Sequence, residues 1–205
     1  MTIQWLGHSC FKRSSSGHSI VLDPYADGKV PGLRPLRVEA NEVFCSHGHD
    51  DHGAAELVAI LKPEAPSRFA ITKVESAHDN EGGKLRGLNT IHVLEENGIR
   101  AAHMGDLGAM LTPGQIAAIG PLDVMMIPVG GHYTVDAAVA KTICDALAPT
   151  VVIPMHYRSD AFGFDVIAPL DDFLSLMDHV VDYDGDTVDV TRGMEKQVVV
   201  LRYKG

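Results

Sequence analysis

Three histidines and two aspartates lie within six consecutive residues, in the segment from Ser46 to His52. A strand over the preceding apolar run, 43–45, would deliver these side chains to its C-terminal edge, where α/β proteins commonly place their chemistry. The spacing is His-x-His-x-Asp-His, and imidazole nitrogens and carboxylate oxygens bind borderline cations such as zinc. A histidine-rich surface loop is the alternative, but the buried strand and partner residues later in the chain favour a metal site.

An apolar strand that ends at a histidine or an aspartate recurs three times after this cluster. If these strands share one layer, their ends converge on the cluster. Five histidines and two aspartates would then be available, enough for two divalent metals: His47, His49, Asp51, His52, His78, Asp106 and His156. We expect two groups and a bridge, namely His47, His49 and His78; Asp51, His52 and His156; and Asp106 between them. Zinc, manganese and iron all accept such ligands, so the sequence leaves the metal open.

Apolar runs separated by turns predict the elements that would position these side chains. Strands are predicted at 3–6, 10–13, 19–22, 43–45, 68–77, 90–95, 99–103, 123–129, 150–154 and 197–201, and helices at 54–61, 113–119, 137–147 and 171–177. Strands grouped in hairpins come first and strands separated by helices follow, which indicates an α/β fold of two packed sheets with helices outside. One domain over residues 1–205 is expected.

The composition argues against several classes of protein. A formal net charge of -10 disfavours an extended nucleic-acid partner, which would require a basic surface. The three cysteines, Cys10, Cys45 and Cys144, are widely spaced and form no CxxC pair, and free thiols fit a reducing compartment. No secretory signal is apparent, and no apolar run approaches the roughly 20 residues of a membrane span. We therefore expect a cytoplasmic protein with no membrane partner.

Five short motifs occur in the order typical of one superfamily. They are Leu-Asp23-Pro-Tyr, the segment His47 to His52, Ser-Ala-His78-Asp, His103-Met-Gly-Asp106 and Pro-Met-His156-Tyr. With the segments 5–11 and 127–133, they resemble the metallo-β-lactamase superfamily, over residue 3 to about residue 158. Within it, the chain is similar to the branch that includes ascorbate-6-phosphate lactonase-like metal-dependent hydrolases. The resemblance implies a four-layer αββα sandwich with a dinuclear centre, most often zinc, at one edge of the sheets.

The resemblance and the ligand set also suggest individual roles. Two metals could share a hydroxide that attacks a carbonyl carbon or a phosphorus, and Asp51 would orient it as well as bind metal. Asp23 is expected to accept a hydrogen bond from a ligand imidazole. His132 is a candidate to protonate the leaving group, although a loop histidine outside the site is an equal alternative.

Other residues receive weaker assignments. His8 and His103 match the branch as supporting or packing residues, and Arg158 either meets an anionic substrate or is solvated. His18, His92 and His179 are expected at the surface.

Three functions fit these features. The first is a metal-dependent hydrolase of a small ester or lactone, with a small-molecule substrate that carries an anionic group. The second is a phosphodiesterase acting on small phosphodiesters or nucleic-acid ends, because the same hydroxide could attack phosphorus. The third is a metal-binding sensor without turnover. The sequence leaves the oligomeric state open, a homo-oligomer included.

Overall fold

The computed structural model describes residues 1–63, 67 and 69–204. In chain order its elements are β1 Thr2–Gly7, β2 Cys10–Ser15, β3 His18–Leu22, β4 Val38–Ala40, β5 Glu42–Phe44, β6 Val58–Ile60, β7 Ala70–Ala77, β8 Leu88–Glu96, β9 Ile99–His103, α1 Pro113–Ile119, β10 Val124–Pro128, α2 Ala137–Leu147, β11 Val151–Met155, α3 Leu170–Leu174, β12 Val180–Asp182, β13 Thr187–Asp189 and β14 Gln197–Val200. A 3₁₀ turn covers Ala55–Leu57.

Two sheets carry the fold. The first has the strand order β13-β1-β2-β3-β5, and the second has the order β12-β14-β11-β10-β9-β8-β7. Strands β9, β10 and β11 are parallel neighbours, so the loops that follow them leave the second sheet at one edge. In the first sheet, β3 and β5 are also parallel. The carboxyl ends of parallel strands lie at the same edge of a sheet, so the polar loops that follow them lie close together.

The largest apolar cluster joins the two sheets. It contains Ile3, Trp5 and Phe11 from the first sheet and Ile91 and Ile153 from the second, all nearly or fully buried. Full burial of such side chains stabilises a fold by about 1.5–3 kcal/mol each. The same cluster extends over the buried faces of α1 and α2. The expectation of two packed sheets with helices outside is confirmed.

A loop, rather than a long helix, covers the other face of the first sheet. Cys10 and Val21 pack there against Tyr25, Val30 and Leu36. The helix predicted at 54–61 is wrong, because only a 3₁₀ turn forms and the next residues pair with β4 as strand β6. Val58 and Ile60, the first and last residues of β6, are β-branched and suit a strand better than a helix.

The other predicted elements have mixed outcomes. The helix at 137–147 has the predicted bounds, and the Asp136 side chain caps it by accepting a 2.9 Å hydrogen bond from the Val139 N–H. The strand predicted from residue 68 is observed from Ala70, and residue 68 itself lies outside the described residues. The three-residue strands β4, β6, β12 and β13 were not predicted, because they are too short to show a hydrophobic period. No helix among the described residues is long and apolar enough to cross a membrane.

Candidate metal centre

Polar side chains at the ends of several strands meet in one cluster. His47 and His49 follow β5, His78 follows β7, Asp106 follows β9 and His156 follows β11. His78, Asp106 and His156 are buried, whereas His49 is exposed. The structure therefore brings the residues predicted from four separate strand ends to one edge of the two sheets.

One group of potential ligands consists of His47, His49 and His78. One nitrogen from each ring lies within 4.8 Å of the others. The centroid of the His47 ring is 4.6 Å from that of His49 and 4.7 Å from that of His78. We call this group position A, and its membership agrees with the division expected from the sequence.

A second group surrounds His52 and is called position B. It contains Asp51, His52 and His156, with ligand atoms within 4.8 Å of one another, and His8 belongs to the same set. The His52 Nε2 atom lies 3.8 Å from Asp51 Oδ2. The inclusion of His8 was not predicted.

The Asp106 carboxylate lies between the two positions. Its Oδ1 atom is 3.0 Å from His52 Nε2, on the side of position B. Its Oδ2 atom is 3.3 Å from His78 Nε2 and 3.9 Å from His47 Nε2, on the side of position A, and 3.5 Å from His156 Nε2. One carboxylate therefore faces both groups, which is the placement of a bridging ligand.

The unpaired atoms of this cluster test whether it suits metal ions. His47 Nε2, His52 Nε2, His156 Nε2 and Asp106 Oδ1 are buried. Despite the short separations above, none has a hydrogen-bond partner among the residues that the structure describes. Buried polar atoms are normally paired, because an unpaired one costs about 1–3 kcal/mol. Atoms that face a shared cation approach each other without hydrogen-bond geometry. Imidazole nitrogens and carboxylate oxygens are also the donors that zinc, manganese and iron accept. The residues fit divalent metal ions.

The charges of Asp106 and His47 support this interpretation. Burial opposes ionisation of Asp106, but His156 and His52 outweigh it and hold the pKa of the carboxyl well below its usual range. Burial, followed by the neighbouring His52, lowers the pKa of His47 to about 4. Near neutral pH, Asp106 is therefore an anion and His47 a neutral imidazole, the forms in which both residues bind metals.

Asp23 forms hydrogen bonds with two residues of the segment that carries the cluster, Ser46 and His52. Its carboxylate is completely buried and accepts hydrogen bonds from Ser46 N at 2.6 Å, Ser46 Oγ at 2.6 Å and His52 Nδ1 at 2.8 Å. The expected hydrogen bond from a histidine of the cluster to Asp23 is present. Because His52 Nδ1 donates to Asp23, its Nε2 atom is the one left to face Asp106 and position B.

Two supporting residues were missed from the sequence. Asp79 accepts hydrogen bonds from four backbone N–H groups between residues 81 and 86, at 2.8–2.9 Å, and so closes the loop after His78. Asn89 Oδ1 accepts a 2.9 Å hydrogen bond from the Asp106 N–H. The Asp-Asn-Glu-Gly-Gly run signals the first of these, since aspartate caps turns in this way. Nothing local signals the second, because the bond joins β8 to the loop that follows β9.

A cavity of about 340 Å³ opens above the two positions. Asp51, His78 and Asp106 form its floor, and its walls include two cations, Lys29 and Arg86, and two rings, Tyr133 and Phe164. This volume is at the lower end of the range for small-molecule sites, about 300–1,000 Å³. The cavity therefore suits a small substrate in contact with both positions.

His132 is not brought into this cavity. It is exposed and lines a neighbouring hollow, while its ring packs on Tyr133 with centroids 4.5 Å apart. Tyr133, in turn, lines the cavity. A catalytic role for His132 stays a prediction, because Tyr133 lines the cavity and His132 does not. Arg158 lines a different hollow.

The three histidines expected at the surface have different environments. His18 and His92 are buried, so that expectation is wrong for both. The His18 Nε2 atom lies 2.7 Å from a carboxylate oxygen of Glu42, and the His92 ring packs near Phe44. Their burial follows from their positions on paired strands, where each ring packs against neighbouring side chains. His179 is exposed, as expected.

The fold and the cluster define a class of protein. Two packed sheets with a histidine- and aspartate-rich site at one edge are the plan of metal-dependent hydrolases of the metallo-β-lactamase type. Residues 2–156 match the family model described as a beta-lactamase superfamily domain. The chain belongs to the metallo-β-lactamase superfamily.

Similar proteins agree with this assignment. The UPF0173 metal-dependent hydrolase of Thermoplasma acidophilum is 28% identical over 198 residues, covering 82% of this chain and 86% of the relative. A UPF0173 protein of Pyrococcus furiosus is 30% identical over 181 residues, covering 77% and 83%. The crystal structure of a candidate zinc-dependent hydrolase of the same superfamily from Thermotoga maritima has 34% identity and a TM-score of 0.76, covering 98% and 97%. The Thermoplasma acidophilum and Thermotoga maritima proteins are named as hydrolases, and neither name states a substrate.

Proposed function

We propose that this protein is a dinuclear metal-dependent hydrolase that cleaves a small ester or lactone carrying an anionic group. The placement of Asp106 carries the proposal, because one buried carboxylate faces both positions at the floor of a small cavity. Zinc is the metal that we propose, with manganese or iron as alternatives. The resemblance to lactonase-like hydrolases supports the choice of ester or lactone.

The chain's own residues divide the work of such a reaction. Metal ions held at positions A and B would supply an activated water and an electrophile for the substrate's oxygen. The Asp51 side chain is partly exposed and lines the cavity, so its free oxygen can orient a water and take a proton from it. Tyr133 lines the wall of the cavity, where its hydroxyl can donate to the leaving group. His132 lines the neighbouring hollow instead.

Two cations at the wall of the cavity support an anionic substrate. The guanidinium carbon of Arg86 lies 5.7 Å from the centre of the Tyr133 ring, and the side chain is half-buried. Lys29 is paired with Asp50 at 2.6 Å, whereas Arg86 forms no salt bridge with the residues that the structure describes. An arginine without an acidic partner, set on an aromatic ring beside a cavity, suits a carboxylate or a phosphate.

The Arg86 guanidinium also suits the second candidate function, a phosphodiesterase. A small phosphodiester would present its charge to Arg86 and its phosphorus to the floor of the cavity. The net charge of -10 disfavours long nucleic acid but not a small phosphodiester. Among similar folds, an isothiocyanate hydrolase from Delia radicum gut bacteria has 10% identity and a TM-score of 0.64, a likeness of fold alone. One fold thus serves different substrates.

Metal analysis and substrate panels on one preparation test the proposed function. We expect two metal ions per chain, and turnover of an anionic ester or lactone that a chelator abolishes. His49→Ala should lose metal from position A and lose turnover, whereas the exposed His179→Asn should keep both. Turnover of phosphodiesters alone would favour the second function. Full metal content without turnover on any panel would favour a sensor, and full turnover by His49→Ala would refute the centre.

Arg86 has its own test. Arg86→Met should raise KM for an anionic ester about 10–100-fold with little change in kcat, since a hydrogen bond to a charged group contributes about 1.5–3 kcal/mol. An uncharged ester should show no such change. Lys84→Met, an exposed change in the same loop, is the matched control. Equal KM values for both variants would remove Arg86 from substrate binding.

We also propose a cytoplasmic location. All three cysteines, Cys10, Cys45 and Cys144, are free thiols in the structure, which supports a reducing compartment.

A further inference from the structure

His8 occupies the tight turn between β1 and β2, far in sequence from the other histidines of the centre. The residue is 1% exposed, and its backbone is left-handed, with φ of 51°. The carbonyl oxygen of His8 accepts a 2.9 Å hydrogen bond from Trp5 Nε1, which fixes the turn. A left-handed backbone is uncommon for a residue with a side chain, and such strain is often found at functional sites.

The imidazole of His8 points into position B. Its Nε2 atom lies 3.5 Å from Asp51 Oδ2, and its ring centroid is 4.1 Å from that of His156 and 5.4 Å from that of His52. One ligand atom from each of these four residues lies within 4.8 Å of the others. Zinc–nitrogen distances of about 2.0–2.1 Å place tetrahedral donors roughly 3.4 Å apart. Small side-chain rotations would therefore bring all four onto one ion.

Both ring nitrogens of His8 are buried and lack a hydrogen-bond partner in the described part of the chain. Within residues 1–63, 67 and 69–204, His156 is the only other histidine with this property, and it belongs to the ligand set expected from the sequence. By contrast, the buried His103 contacts the Ser9 carbonyl oxygen at 2.8 Å through Nε2. An imidazole that only packs, or only supports a neighbour, would be expected to pair at least one nitrogen. The environment of His8 resembles that of a ligand.

We propose that His8 is an additional metal ligand at position B, beside Asp51, His52 and His156. The inference rests on the proposed metal centre and extends it to the first hairpin of the fold. Position B then has four donors of its own, one more than position A, in addition to the shared Asp106. Metal at position B also ties the β1–β2 turn to strand ends from the second sheet.

The rival is a His8 that only hydrogen-bonds Asp51 and so orients it. Removing such a supporting partner also weakens metal binding, by about 10–100-fold, so affinity alone does not separate the two roles. The number of imidazoles bound to metal separates the two roles, because only a ligand adds one. A direct bond between His8 and the metal is therefore the quantity to measure.

The first experiment uses the wild-type protein, loaded with cadmium and labelled at its histidine ring nitrogens. One-bond coupling between cadmium and a ring nitrogen of His8 is expected in the nuclear magnetic resonance spectrum. Coupling to the other cluster histidines without coupling to His8 would overturn the inference and leave the proposed centre intact. Coupling to none of them would overturn both.

The second experiment compares His8→Asn with His179→Asn, both loaded with zinc. Asparagine tolerates a left-handed backbone. His179 is exposed and has a φ of 56°, so the control makes the same histidine-to-asparagine replacement in the same backbone conformation. X-ray absorption spectra should show one imidazole fewer per two zinc ions in His8→Asn and no loss in His179→Asn. An unchanged imidazole count in a folded His8→Asn protein would overturn the inference.

Discussion

The replacement Asp23→Asn tests how the fold selects the metal-binding nitrogen of His52. In the wild-type protein, Asp23 Oδ2 accepts from both Ser46 Oγ and His52 Nδ1, while Oδ1 accepts from Ser46 N. In the variant, an amide N–H₂ must face either His52 Nδ1 or the Ser46 N–H. If it faces His52, the ring has to accept at Nδ1 and carry its proton on Nε2. That nitrogen lies 3.0 Å from Asp106 Oδ1 and can no longer bind metal.

The expected size of the effect follows from the contacts. Loss of a group that orients a metal ligand typically weakens metal binding about 10–100-fold, which corresponds to about 1.4–2.7 kcal/mol. If the amide instead turns toward Ser46, two buried donors meet, and the metal-free fold loses about 1–3 kcal/mol. The change therefore lowers metal affinity, the free energy of unfolding, or both.

Chelator competition measures metal affinity, and denaturant unfolding of the metal-free protein measures stability. Asp123→Asn is the matched control, because its carboxylate accepts a 2.7 Å hydrogen bond from the Arg100 N–H that an amide oxygen can equally accept. We expect Asp123→Asn to leave metal affinity unchanged. If Asp23→Asn bound metal and unfolded like the wild-type protein, the reasoning on the His52 tautomer would be wrong.

Three further predictions concern the loops around the cavity. Asp79→Ala should speed hydrogen exchange of the amides between residues 81 and 86 by an order of magnitude or more, because four N–H groups lose their acceptor; unchanged exchange would show that the loop holds itself. Gly108→Ala should displace His78 and lower metal content at position A, since a Cβ atom there would lie 2.2 Å from Asp79 N; full metal content would contradict this. Tyr133→Phe should lower kcat more than His132→Ala does, and the opposite order would restore His132 as the proton donor.

Most of the centre could be predicted because its residues follow a local rule. Apolar strands end at His47, His78, Asp106 and His156, and parallel strands share an edge, so the convergence of these residues could be inferred without knowing the fold in detail. Neighbours such as His49 and His52 follow from their spacing in one short segment. Apolar runs separated by turns likewise predict the two sheets, and the helix at 137–147 has its predicted bounds.

The rest depends on contacts between distant segments. His8 lies 43 residues before Asp51, by subtraction of their positions, and reaches it because β1, β2 and β5 belong to the same sheet. Asn89, on β8, accepts a hydrogen bond from the Asp106 N–H in the loop after β9. His18 and His92 carry polar rings that sequence places at the surface, yet paired strands bury them. Tertiary context overrides local preference in each case.

Backbone strain and unpaired atoms coincide at this centre. His8, Asp23 and His156 each follow a strand end and have φ values of 51°, 47° and 54°. A left-handed conformation costs a residue with a side chain about 1–2 kcal/mol. In addition, the buried ring nitrogens of His8 and His156 have no hydrogen-bond partner among the described residues. The packed strands on either side hold these turns in place, because each residue adjoins a buried strand. Metal ions would bond to the unpaired nitrogens of His8 and His156, and Asp23 holds His52 in place by a hydrogen bond. Metal binding and the stability of the fold are therefore linked through these three turns.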